Sequence, residues 1–341
     1  MVAAAAMVVG SFALRDRLDR REDERTTVLR LVCATELGPV CERLGETDEI
    51  GARLEVTVEA AGATADRLAR QQGEAGLDGW LVSAPWPDMV DGARRARALP
   101  PLFIAAQAPL ARSPLVLVVW KERAAALAGR CPGGQVGWAC LGEAAGAAGG
   151  WAAVGGRPEW GPVKPGHGDA ASDDVGLLVL GQAVAAFLGR TDLSTADLDD
   201  ARFDRWFTGL ERAVPPTATS PLGTMLVAGP AAYDAVGTTE AEARPLLERS
   251  ARGRDLSLLY PSPMATADVV LATPEGPAGR LLRQEVSGDA GRRALAGAGF
   301  RVAGAGATQA GDGPALPPTS GLPPPGLLDA LRSRAREVTG R

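Results

Sequence analysis

VLRLVCATELGPVCERLG (28–45), followed by LEVTV (54–58), ATADRLARQQ (63–72) and GWLVS (79–83), decides the architecture of this chain. VLRLVC (28–33), LEVTV and GWLVS have strand length and are rich in Val and Leu. Between them lie two segments of helical pattern. The first, TELGPVCERLG (35–45), starts with Thr35 as a cap and Glu36 in its first turn. Strands that alternate with helices in this way build a parallel sheet through right-handed crossovers. The chain is therefore expected to be α/β.

Downstream, LFIAAQAPLA (102–111) and PLVLVVW (114–120) are two apolar runs split by Arg112 and Ser113, and KERAAALAGR (121–130) is a short helix. Residues 131–170 are rich in Gly and Trp and read as mostly loop with short strands. Ser172 starts a strong helix, SDDVGLLVLGQAVAAFLG, whose first-turn acids suit the helix dipole. Residues 192–214 give another helix, and 224–251 continue the α/β mixture. LSLLYP (256–261) and ADVVLAT (267–273) are strands; 278–287 and 291–300 are helices. From 303 the composition turns to Gly, Ala, Pro and Thr, a linker before a last helix.

At 341 residues, 46% apolar and 23% charged, the chain has the size of two ordinary lobes and the composition of a folded body. Net charge is −5 and no basic stripe is present, which excludes nucleic acid as a partner. Residues 2–14 are apolar and precede RDRLDRREDER (15–25). This run is shorter than the roughly 20 residues that span a bilayer. It reads as a membrane anchor or signal-like segment whose true start lies further upstream, or as a buried N-terminal helix. Four cysteines form two close pairs, Cys33 with Cys41 and Cys131 with Cys140. They suit two small disulfide loops in an oxidising compartment; the alternative is four buried thiols. Both features point outside the cytoplasm.

The residues for catalysis are missing. The single His, His167, sits in the turn-like PGHG as a surface-loop residue, and no GxSxG elbow or phosphate loop occurs. Gly304 and Gly306 begin a GxG pattern that fails at Gln309. No cofactor, metal or catalytic residue is expected. What remains is binding. Thr35, Ser83, Ser113, Ser172 and Tyr260 stand at strand ends and helix starts, where open α/β sheets take their ligands.

The order of segments resembles the type II periplasmic solute-binding proteins of ABC transporters, in an actinobacterial form close to the molybdate and sulfate binders. The resemblance is carried by LVCATELGPVCERL, GWLVSAPWPDMV, APLARSPLVLVVWK, AASDDVGLLVLG, LLYPSPMATADVVL and GAGFRV, over roughly 28–303. It implies two lobes, each a mixed sheet flanked by helices: 28–112 plus 264–303, and 113–263, after an anchor and linker at 1–27 and before the tail at 304–341. It implies hinges near 112–114 and 260–263, and a small polar ligand touching Thr35, Glu36, Ser83, Ser113, Ser172 and Tyr260. It also implies an extracytoplasmic place, secreted or membrane-anchored, with a permease or another membrane protein as partner. The sequence departs from the oxyanion binders in one respect: Glu36, Asp173 and Asp174 stand near the expected cleft, where carboxylates repel sulfate or molybdate unless they turn away. A neutral or cationic solute is left open. So is a tethered scaffold module that keeps the fold without a transported ligand, its cleft plugged by a side chain such as Trp86 or Glu36.

Overall fold

The structure, a computed structural model, describes residues 27–47, 50–104, 108–216, 220–302 and 313–340. The N-terminal apolar segment and residues 303–312 of the linker lie outside the described residues. In chain order the elements are β1 (Val28–Ala34), α1 (Gly38–Glu46), β2 (Arg53–Glu59), α2 (Ala61–Leu68), β3 (Gly79–Ala84), α3 (Trp86–Arg95), β4 (Ala111–Trp120) and α4 (Lys121–Ala128). Then come α5 (Trp138–Ala145), α6 (Gly150–Ala153), β5 (Pro165–Gly166), α7 (Asp174–Leu188), α8 (Ala201–Ala213), α9 (Pro221–Ala228), β6 (Ala235–Thr239) and α10 (Glu240–Arg249). The chain closes with β7 (Leu256–Leu259), β8 (Thr266–Ala272), α11 (Pro277–Ser287), α12 (Asp289–Gly297), β9 (Arg301–Val302) and α13 (Pro325–Thr339).

The expected β-α-β-α-β series forms. β1 pairs in parallel with β2 on one edge and with β3 on the other. β3 continues into antiparallel β8, and β8 into antiparallel β4. The two apolar runs around Arg112 and Ser113 resolve differently from expectation: residues 111–120 form one strand that runs through Arg112 and Ser113 into the second run. Its first half, Ala111–Pro114, pairs with β8 and, at Ala111 and Arg112, with β9. Its second half pairs with β6 and β7. One strand thus belongs to two sheets, which is the two-lobed α/β architecture.

Alternation along the second half of β4 builds two cores. Leu115, Leu117 and Val119 face the main core. Val116, Val118 and Trp120 face a second cluster with Leu222, Met225, Tyr233 and Leu256. Each such side chain contributes about 1.5–3 kcal/mol of burial. Asp234, fully buried beneath the second half, accepts from Arg123 Nε at 2.8 Å, Trp151 Nε1 at 3.0 Å and Lys164 N at 2.9 Å. The Arg123 guanidinium lies 3.5 Å from the Trp160 ring centre.

Three local expectations change. The Gly- and Trp-rich stretch contains α5, a helix whose Trp138 and Leu141 are fully buried. It packs against α7 and α8. Packing, not propensity, makes it helical. His167 is not a surface residue: it is 3% exposed and its Nε2 lies 3.0 Å from Glu211 Oε1. Finally, the helix expected from Ser172 starts two residues later, with Asp173 as its cap accepting from Gly176 N. Ser172 instead donates to Asp169 at 2.9 Å.

The last helix docks on the body. Leu327, Leu328 and Leu331 are buried, and α13 packs against α3, α7 and α8. The Pro-rich approach is also tied down: Ser320 O accepts from Thr266 N, and Pro317 O and Thr319 O accept from Arg112.

Candidate functional site

A cavity of about 810 Å³ opens where the two sheets meet. From the β1–β3 side it is lined by the turn after β1 (Thr35 to Leu37), by α1, by Ser83 at the end of β3 and by the residues closing α12. From the other side come the start of α7, the start of α9, the end of β6 and α10. Strand ends and helix starts meet there because parallel strands deliver their carboxyl ends, and the following helices their N-termini, to the same edge. The volume is in the range of small-ligand pockets.

Of the residues expected from the sequence, Thr35, Glu36 and Ser83 line this cavity. Ser113, Ser172 and Tyr260 are not among its lining residues. Ser113 is fully buried and its Oγ accepts from Ala241 N at 3.0 Å, fastening β4 to α10. Tyr260 donates to Glu240 and accepts from Arg244 Nη2 at 3.0 Å. It therefore touches the cavity only through Arg244, which lines it. The carbonyl of Ser172 accepts from Gly62 N at 2.9 Å. Trp86 does not plug the cleft: it is fully buried and its Nε1 donates to Asp174 O at 3.2 Å.

Residues not singled out as ligand contacts complete the lining. Thr238, Thr239, Glu242, Arg43 and Arg244 all face the cavity. Thr239 caps α10 by accepting from Glu242 N at 3.2 Å. The strand-to-helix junction at 239–240 carried this signal, because a Thr directly before an acidic first turn is a helix start.

The floor is acidic. Asp174 is fully buried; its Oδ2 accepts from Ser83 Oγ at 2.7 Å, and both oxygens lie 3.2 Å from Ser83 N. Glu36 Oε1 accepts from Asp174 N at 3.0 Å. Glu36 Oε2 is buried and meets no hydrogen-bond partner among the described residues. Burial, and then the charge of Glu36, hold the Asp173 carboxyl well above the usual carboxylate range. Burial pushes Glu36 up to about 7, against the Asp173 hydrogen bond and helped by the charge of Asp174. Burial likewise pushes Asp174 up to about 7, against the hydrogen bonds from Ser83. Three buried carboxyls with raised pKa values in one cleft make it a candidate functional site. Gly168 makes room for them: a Cβ there would stand 2.3 Å from Asp173 Cγ.

Two lobes joined by a shared strand, with a cavity between them lined from both sides, match the two-lobed fold of periplasmic solute-binding proteins. The chain belongs to the bacterial extracellular solute-binding protein family, whose model matches residues 29–301. Solved structures show the same fold at low identity. The periplasmic thiamin binding protein is 14% identical with a TM-score of 0.60, covering 92% of this chain and 96% of that one. The sulfate-binding protein SubI from Mycobacterium tuberculosis is 16% identical with a TM-score of 0.50, covering 82% and 88%. The ferric binding protein from Campylobacter jejuni is 10% identical with a TM-score of 0.60, covering 92% and 98%. No curated protein matches. Membership of an extracellular family agrees with the two disulfides, Cys33–Cys41 and Cys131–Cys140, both formed in the structure. No helix among the described residues is long and apolar enough to cross a membrane.

Proposed function

We propose that the protein captures a small polar solute, neutral or cationic, in the cavity between its lobes and presents it to an ABC-transporter permease, without chemistry of its own. The observation that carries this reading is the 810 Å³ cavity lined from both sheets. Thr35 and Glu36 contact the solute from one lobe, above Ser83, which holds Asp174 in the cleft floor; Ser113, Ser172 and Tyr260 act one step behind it by fixing β4, α7 and Arg244. The lobes comprise 28–112 plus 264–303 and 113–263, with hinges at 112–114 and 260–263; the change of pairing partners at Pro114–Leu115 supports this division. The N-terminal segment holds the protein at the membrane. A thermal-shift screen across amines, amino acids, sugars and vitamins tests the reading. At least one solute should raise the melting temperature, and Glu36→Gln should remove that effect. A screen without a single stabilising solute overturns it.

A further inference from the structure

The end of β3 and the start of α7 form the kind of seat that binds an anion: a backbone N–H and a hydroxyl of a buried serine, facing a helix N-terminus. Each donor in that seat is already taken by a carboxyl of the chain itself. Ser83 N and Ser83 Oγ give their hydrogens to Asp174. Asp174 N gives its hydrogen to Glu36, and Gly176 N to Asp173.

We propose that Asp174 is a specificity-determining residue, a tethered carboxylate that fills the anion seat at Ser83 and makes the cleft reject free oxyanions. A tethered group acts at an effective concentration on the order of millimolar or higher. A sulfate or phosphate entering the seat must displace it and strand a buried charge that has lost its donors. The same contact latches the halves, because Ser83 is on β3 while Asp174 starts α7 and is held there by Trp86 as well.

This inference rests on the cleft being the solute site, and the experiment separates the two. Sulfate, phosphate and molybdate are titrated at pH 8 by calorimetry and thermal shift into the wild type, Asp174→Ala, Asp174→Ser and Asp174→Ala/Ser83→Ala. The serine variant keeps a hydroxyl at the helix start should the alanine variant not fold. The wild type should show no saturable binding up to about 10 mM. Asp174→Ala or Asp174→Ser should bind at least about tenfold more tightly than that limit, and adding Ser83→Ala should abolish the gain. Saturable oxyanion binding by the wild type overturns the inference and leaves the solute-binding reading intact. Folded Asp174 variants that gain no oxyanion overturn it too. A wild type that binds nothing in the solute screen, beside an Asp174 variant that gains sulfate, sinks the proposed function and keeps the inference.

Discussion

Arg332 in α13 pairs with Asp66 in α2 at 2.8 Å across 266 residues of chain. The same guanidinium donates to Ala171 O at 2.7 Å and to Gly62 O at 3.0 Å, and lies 5.1 Å from the Trp86 ring centre. Ala171 stands just before α7, whereas Gly62 is in α2, after β2, and Trp86 starts α3, after β3. One side chain, 5% exposed, therefore joins the C-terminal helix to both halves of the molecule.

Arg332→Ala removes that joint: the ion pair to Asp66 and the hydrogen bonds to Ala171 O and Gly62 O. The expected loss is about 3 kcal/mol, read as a lower denaturant midpoint. Arg332→Lys recovers only part of it, because an ammonium cannot reproduce the forked geometry. An unchanged midpoint for Arg332→Ala would show that α13 is only laid on the surface.

The acidic floor sets a pH dependence. A carboxyl whose folded pKa stands above its unfolded one holds its proton more tightly in the folded protein. Its contribution to stability is complete below about pH 4 and is lost as pH rises toward 7. Glu36 and Asp174, raised from 4.5 and 3.8 to about 7, each contribute on the order of 3–4 kcal/mol in this sense. His167, raised by Glu211 against its burial, acts in the same direction. Asp66 acts oppositely: against its burial, Arg332 and Arg336 hold it low, so its contribution is lost as pH falls below about 4. The melting temperature should therefore peak near pH 5 and fall by roughly 10 °C toward pH 8. Glu36→Gln should flatten that slope. A melting temperature that rises from pH 5 to 8 would contradict the raised carboxyls of the cleft floor.

The two disulfides close short loops, with sequence separations of 8 and 9. Loops of that size give about 2.5 kcal/mol each through the restricted unfolded chain. Protein purified without reductant from an oxidising host should weigh about 4 Da less than the reduced chain, one hydrogen per thiol. Replacing Cys131 and Cys140 together by Ser should lower stability by about 2 kcal/mol. Four free thiols in exported material would contradict the pairing.

The sequence by itself determined the elements whose signals are local. The parallel series β1, β2 and β3 was legible because Val- and Leu-rich runs of strand length alternate with helical patterns. The cysteine pairing was legible because partners are near in sequence. Thr35, Glu36 and Ser83 could be placed at the cleft for a topological reason, since strand ends gather there. Other features were decided by tertiary structure alone. Helix α5 exists because Trp138 and Leu141 find α7 and α8, which a Gly-rich stretch does not announce. His167 is buried because Glu211, 44 residues away, comes to meet it. β4 runs unbroken through Ser113 because Ala241 N satisfies that hydroxyl. The anion seat is filled because the fold carries Asp174 to Ser83 over 91 residues. No periodicity encodes that meeting: hydrogen bonds between distant residues depend on where the sheets place them, whereas a strand or a helix is written in its own few residues.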